Sequence, residues 1–293
     1  MRITNSMMIN TFNRNLGRNL REMNKINEQL SSGLRINRPS DDPTGITYAL
    51  RLHTNITENQ QYQKNVSDAR SWMETTDTAL NEAGLGLQRA RELAVQGANG
   101  TNDLEAMKAL AKEIGQIRQH IEGVSNTEIG GRYIFSGTMT NVPAFAAGTY
   151  QGNSQDLKYE IGPGITLPIN VPGDQVFADI PGADSVFKAL TDLENQLNTG
   201  QYGLVSGQIK QLDKWISQNL STRAEIGARL NRLELTENRL VNSNLNLNSL
   251  LDKTENVDET EAITQLKMQE TTYNTSLAVG ARIIQPTLMD FLR

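Results

Sequence analysis

Two histidines, one pair of adjacent aspartates and one close pair of glycines are the residues whose types could support chemistry in this chain. His53 and His120 could exchange protons near neutral pH, but both fall within helical patterns and read as packed or surface helix residues. Asp41 and Asp42 could hold a metal or share a proton. No third ligand lies nearby at helical spacing, and Pro43 follows at once, so Asp42 reads as a helix N-cap with Pro43 at the first helical position. Gly84-Leu-Gly86 lacks the third glycine and the preceding strand of a phosphate-binding loop. Neither a Gly-x-Ser-x-Gly elbow nor a His-Glu-x-x-His pair occurs. The chain has no cysteine, which removes disulfides, thiolate metal sites and cysteine nucleophiles. No catalytic residue, cofactor-binding residue, cofactor or metal ligand is assigned. The net charge is −5 and no basic run stands out, so no nucleic-acid partner is expected.

The elements around these residues are long helices. Over residues 4–33, Ile9, Leu16, Met23 and Leu30 repeat every seven, with Phe12, Leu20 and Ile26 among them and Asn19 as a polar interruption. Gly33 ends that helix. From 44 to 98 the stripe Val66, Ala69, Met73, Thr76, Leu80, Ala83, Leu87, Ala90 and Ala94 is built largely of small residues, which predicts close helix packing. Gly84 and Gly86 within it mark a close contact or a soft point. Leu104, Met107, Leu110, Ile114, Ile117, Ile121 and Val124 form the next stripe, expected to turn back as an antiparallel partner. Five of the eight prolines lie between 143 and 181. Tyr133–Phe135, Leu157–Ile161 and Ile165–Val171 read as strands, with Gly162-Pro-Gly164 as a hairpin turn.

Helix is expected again over 183–199 and, after a break at Gly200 to Gly203, over 206–254. Ile209, Leu212, Ile216, Leu220, Ile226, Leu230, Leu233, Leu240, Leu247 and Leu251 would carry its seam, interrupted by Glu237 and Asn244. Arg229, Arg232 and Arg239 interleave with acids and read as a solvated, paired face. Trp72 and Trp215 read as packing residues. Asp258 with Glu261 resembles a capping box and opens a last helix, whose apolar side holds Ile263, Leu266, Tyr273, Leu277, Ile284, Leu288 and Phe291. Pro286 should loosen its end. No segment approaches the roughly 20 apolar residues needed to cross a bilayer, and Met1–Ile9 lacks the apolar stretch of a secretory signal.

The pattern predicts a mainly α fold: an elongated rod of coiled-coil-like helices built from both chain halves, with a small central β-rich insertion. Three parts are expected. Residues 1–42 with 255–293 would form a terminal coiled-coil domain, 43–137 with 183–254 a helical bundle core, and 138–182 a β-rich outer domain.

Four runs carry a family resemblance. Leu30-Ser-Ser-Gly-Leu-Arg-Ile-Asn37 followed by Arg38-Pro-Ser-Asp-Asp-Pro-Thr-Gly45, and Leu87-Gln-Arg-Ala-Arg-Glu-Leu-Ala-Val-Gln96, resemble the bacterial flagellin superfamily. Gly130-Gly-Arg-Tyr-Ile-Phe-Ser-Gly137 and Ser276-Leu-Ala-Val-Gly-Ala-Arg-Ile-Ile-Gln-Pro-Thr-Leu-Met-Asp-Phe-Leu292 resemble its hook–filament junction branch more than filament flagellins. The resemblance implies a structural protein, exported unfolded without a cleaved signal and placed extracellularly on the flagellum. Its implied partners are other copies of itself in a ring, an adjacent hook-associated protein, flagellin, and an export chaperone at the C-terminal helix. Ile9, Phe12, Leu16, Leu20, Met23, Ile26 and Leu30, with Ile263, Leu266, Tyr273, Leu277, Ile284, Leu288 and Phe291, would form the assembly interface. Gly33, Asn37, Pro39, Asp41, Asp42 and Pro43 would form the hinge between domains. Arg89 and Leu93 match a flagellin surface recognised by an innate immune receptor.

One apolar stripe on a helix of about 30 residues is marginal in water without tertiary packing. The ends are therefore expected to order as subunits pack, and deletion of residues 1–35 to abolish incorporation while the core stays folded. A filament subunit is the nearest competing reading. Arg14, Arg18, Arg21 and Lys25 could instead touch anionic lipid, but the apolar side of that helix is thin, so helix–helix packing is favoured and stable membrane insertion is not expected.

Overall fold

Residues 5–99, 102–146, 148–178 and 185–284 are described by the computed structural model. Among them the α-helices are α1 (Asn5–Ser32), α2 (Pro43–Ala98), α3 (Leu104–Ser125), α4 (Val186–Thr199), α5 (Tyr202–Glu255) and α6 (Glu259–Ile284). Three antiparallel strand pairs lie between α3 and α4: β1 (Glu128–Ile129) with β2 (Arg132–Tyr133), β3 (Phe145–Ala146) with β4 (Thr149–Tyr150), and β5 (Lys158–Gly162) with β6 (Ile165–Pro168). A short π-helix, Asp174–Ala178, follows them. No described helix is long and apolar enough to cross a membrane. The chain divides into two compact units, Met1–Glu58 with Ser243–Arg293, and Asn59–Asn242, here the terminal and central units.

In the central unit the predicted α2 stripe is buried from Val66 to Ala94. Its two helical glycines are contact points. A methyl at Gly84 would press on the Asn219 side chain, and one at Gly86 on Ile121. From α3, Met107, Leu110, Ile114, Ile121 and Val124 enter the same core, Ile117 is half-buried, and Leu104 is exposed. Arg89 with Glu113 and His120 with Glu82 tie α3 to α2 along the surface.

The seam of α5 differs from the heptad reading. Leu212, Trp215, Asn219, Thr222, Ile226, Leu233, Thr236 and Leu240 are buried, whereas Leu220 is 66% exposed. The polar positions inside the seam are Asn219, Thr222 and Thr236, not Glu237 and Asn244. Asn219 is tolerated there because its amide donates to the Leu80 carbonyl at 3.0 Å, in the space left by Gly84. Glu237 pairs sideways with Arg70. Arg229 is not simply solvated. It pairs with Glu225 and donates to the Pro168 and Asn170 carbonyls, anchoring the end of β6 to α5.

The β elements are shorter than the apolar runs suggested. Of Tyr133–Phe135 only Tyr133 is in a strand; Ile134 and Phe135 turn into the core. The Ile165–Val171 run leaves strand geometry after Pro168: Ile169 N–H still donates to the Leu157 carbonyl at 2.9 Å, and beyond it the Asn170 side chain continues the pairing, its Oδ1 accepting from Leu157 N–H at 2.8 Å and its Nδ2 donating to the Gln155 carbonyl at 3.0 Å. Phe135, Phe145, Phe177 and Phe187 with Tyr150 form one aromatic cluster, its ring centroids 5.0–6.2 Å apart. The Tyr150 hydroxyl shares its single proton between the carbonyls of Asn153 (2.8 Å) and Phe135 (3.1 Å). Burial, with the nearby Asp174 charge, raises its pKa and keeps it a donor. Tyr150→Phe should cost about 1–2 kcal/mol in a urea melt, since it removes the donor of the partly buried Asn153 carbonyl, while the Phe135 carbonyl keeps the Gly173 N–H at 2.7 Å.

Helix boundaries in the second half also move. α4 starts at Val186, capped by Ser185, rather than at 183, and residues 179–184 lie outside the described part. Gly200, at φ 70°, caps α4, and α5 begins two residues later, so Gly203 is helical and the break is shorter than expected.

Candidate assembly interface

The terminal unit is built on α1 lying along α6. On α1 the predicted stripe faces that partner. Ile26 is buried, and Ile9, Phe12, Leu16, Leu20, Met23 and Leu30 are half-buried. On α6, Leu266 and Tyr273 are half-buried, but Ile263 is 50% and Leu277 42% exposed. Met268 and Val279, absent from the predicted stripe, are 58% and 49% exposed. The side chains of Ile284, Leu288 and Phe291, and all of Pro286, lie outside the described residues.

Gly280 is the contact the sequence reading missed. It is buried, and a Cβ there would overlap the Phe12 ring, lying within 2.8 Å of both Cε carbons. The tip of the Phe12 ring therefore meets the α6 backbone at Gly280, the close approach that only glycine permits. The clue in the sequence was a lone glycine inside a helical pattern, Ala278-Val-Gly-Ala281. Between the two helices lies an open groove of about 770 Å³, lined by Phe12, Leu16, Met268 and Val279 with a threonine-rich rim.

The proposed hinge residues form a hydrogen-bonded turn. Gly33, at φ 74°, ends α1, its N–H donating to the Gln29 carbonyl at 2.9 Å. Asn37 donates its Nδ2 to the Leu34 carbonyl, and Asp41 Oδ2 accepts from the N–H groups of Asn37 (3.3 Å) and Arg38 (2.9 Å). Pro39 is exposed, as is Pro43, the first residue of α2. Asp42 Oδ1 accepts from Gly45 N–H at 2.9 Å, the cap that its position before Pro43 predicts. That donor, then the Thr44 hydroxyl, holds the Asp42 carboxyl below its ordinary value. A carboxyl whose folded pKa is lowered stabilises the fold above its unfolded pKa and loses that contribution as pH falls. The cap is thus complete at neutral pH and fades below about pH 3.8. Asp42→Ala should lower the melting temperature at pH 7 and show a smaller further loss than wild type between pH 5 and pH 3, which scanning calorimetry would read.

The turn is also clasped to the α5–α6 connection. Arg35 N–H donates to the Glu255 carbonyl at 2.6 Å, Val257 N–H to the Gly33 carbonyl at 3.0 Å, and Arg35 Nη2 to the Thr254 carbonyl at 2.6 Å. His53 Nε2 lies 2.7 Å from Glu255 Oε2, so this histidine is a hydrogen-bonding partner on the helix surface. Asp258 caps α6 through Glu261 N–H, but the Glu261 side chain turns forward to Gln265, so the reciprocal arm of a capping box is missing.

Of the two residues that match a receptor-recognised flagellin surface, Arg89 is exposed and Leu93 is not. Leu93 is 2% exposed, inside the core, and Arg89 is held by Glu113 and Glu92. Among the described residues no cluster of three potential metal ligands occurs.

Comparison with known proteins agrees with this architecture. The bacterial flagellin N-terminal helical region matches residues 3–140, and the bacterial flagellin C-terminal helical region matches residues 209–292. A flagellin of Bacillus subtilis (strain 168) is 35% identical over 298 residues, spanning 96% of this chain and 94% of that one. Flagellar hook-associated protein 3 of Escherichia coli (strain K12) is 28% identical over 305 residues, spanning 94% of this chain and 95% of that one. The crystal structure of the flagellar junction protein FlgL from Legionella pneumophila shares the fold, with a TM-score of 0.60 at 16% identity over 72% of this chain and 100% of that one. With both terminal helical regions matched and a relative aligned from end to end, the chain belongs to the bacterial flagellin family.

Proposed function

We propose that this chain is a structural, non-catalytic subunit of the bacterial flagellum that sits at the hook–filament junction and assembles through its paired ends. The observation that carries this reading is the α1–α6 pair, which leaves Ile263 and Leu277 uncovered and Met268 and Val279 lining an open groove. Side-by-side packing of subunits would cover them, and apolar area removed from water is worth about 25 cal/mol per Å². In this reading residues 1–42 with 255–293 form the tube-lining part, 43–137 with 183–254 the bundle and 138–182 the outer part. Gly33, Asn37, Pro39, Asp41, Asp42 and Pro43 join the first two. The subunit leaves the cell unfolded, guided by a chaperone on its C-terminal helix, and forms a ring between a hook-associated protein and the first flagellin layer. The absence of cysteine suits such a route, since no crosslink can form on the way.

The junction is favoured over the filament by the resemblance of the Gly130–Gly137 run to the junction branch; that run forms the turn and second strand of the β1–β2 hairpin and delivers Ile134 and Phe135 to the core. A filament-subunit reading is favoured by the 35% identity to a flagellin. The two differ in behaviour: a purified filament subunit polymerises alone into long filaments, and a junction subunit does not. Deleting the gene tests the junction reading. Cells should keep intact hooks and shed flagellin monomers into the medium; filaments of normal length and number on the deletion strain would reject it.

A further inference from the structure

Arg14, Arg18, Arg21 and Lys25 follow one another at i, i+4, i+7 and i+11 on α1, and all four are exposed. At 3.6 residues per turn they fall within about 60° of arc. That arc is centred opposite Phe12, Leu16, Met23 and Leu30, so the cations point away from α6. Among the described residues Arg18 and Arg21 have no carboxylate partner. Lys25 reaches Asp41 only at 3.7 Å, and Arg14 donates to the Thr11 hydroxyl at 3.3 Å. Like charges three and four residues apart weaken a helix, so this row is unfavourable until an external anion meets it.

A matching anion lies in the same unit. Residues 14–25 hold four cations and one acid, a net +3, whereas residues 252–261 hold five acids and one cation, a net −4. Asp252, Asp258, Glu259 and Glu261 are exposed there. Leu34 pairs with Asn256, which fixes the acidic segment beside the end of α1, not beside its middle. From Arg18 to residue 34 is about 24 Å along a helical rise of 1.5 Å per residue, too far for the two to meet within one chain.

We propose that the cationic row of α1 docks on the 252–261 acidic segment of a second copy of this chain, displaced by about 20 Å along the helix axis. This deepens the reading of the chain as a self-assembling subunit and rests on it. The contact is heterologous, with different patches on the two copies, so it can pass from copy to copy around a helical turn, each step carrying the axial offset. A lipid surface fits less well. Insertion needs several apolar side chains beside the cations; on α1 only Met7 and Met8, at its start, are exposed, and the rest of its apolar stripe is turned onto α6.

The test is sedimentation of the full chain, wild type and two charge-reversed variants, Arg18→Glu/Arg21→Glu and Asp252→Lys/Glu259→Lys, with circular dichroism confirming that each folds. Wild type should form short oligomers, not long filaments, at about 50 mM salt, and this association should weaken at least about tenfold at 500 mM, as screening removes exposed charge attraction. Each variant alone should lose association at least tenfold, and an equimolar mixture of the two should recover it. Recovery is the decisive readout, because a merely misfolded variant cannot supply it. A monomeric wild type, a variant that associates like wild type, or a mixture that stays apart overturns the contact. So does wild-type capture by anionic vesicles without self-association. Failure here leaves the junction reading intact, since that is decided by the hooks and medium of the deletion strain.

Discussion

Replacing Gly280 with leucine is expected to part α1 from α6 over their distal half. The added side chain must occupy the space of the Phe12 ring, which a Cβ alone already overlaps. Overpacking of this kind costs about 1–3 kcal/mol, and expelling Phe12 forfeits its own burial as well. Amide hydrogen exchange across residues 6–20 should quicken by one to two orders of magnitude, while the central unit keeps its protection. Phe12→Ala in the same chain removes the obstruction. The double variant should therefore recover part of the loss, with a coupling of about 1 kcal/mol or more, as expected for residues in direct contact. If Gly280→Leu left the exchange of α1 unchanged, the seam would be wrong.

Trp215→Ala should be the most damaging single truncation in the central unit. Trp215 is wholly buried in the core that α2, α3, α4 and α5 share. Loss of a large aromatic side chain from such a site costs about 3–5 kcal/mol, from lost transfer energy and the cavity left behind. Leu220→Ala, five residues on, is the control. At 66% exposed it should shift the urea midpoint hardly at all, within about 0.5 kcal/mol. A heptad seam through Leu220 predicts a core-sized loss at Leu220→Ala as well, so this pair of variants tests the helix register directly.

Much of the fold was legible because helices write their burial into period and caps. The α2 stripe, the Asp42–Pro43 start, the Gly33 stop and the α1 seam follow from residue type and spacing alone. What escaped depends on contacts between distant residues. Asn219 could enter a seam because Gly84, 135 positions earlier, makes room and Leu80 offers a carbonyl. Strands two residues long carry no period to read, and β1 to β4 are held instead by turns at Gly130, Gly131 and Gly148 in the left-handed region and by Asn126 pairing with the Phe145 backbone. Leu93 shows the opposite hazard. A local run matched a known surface, but its position in the α2 stripe places the side chain in the core.

Of the candidate interface, the apolar α1 stripe was legible and its counterpart was not. Gly280 has no side chain to register in any hydrophobic pattern, yet it sets the distance between the two helices. Met268 and Val279 fall outside the seven-residue spacing and become visible only when α1 is in place. The cationic row was visible as composition; its direction, opposite the seam, needed the helix pair.

In the proposed function, assembly depends on the paired ends. The most direct measurement expresses the Gly280→Leu chain in the gene-deletion strain and assays where it goes. The prediction is that the variant reaches the medium in amounts like wild type, while purified hooks carry none of it and remain without filaments. Normal recovery of the variant on hooks, with filaments restored, would contradict the claim.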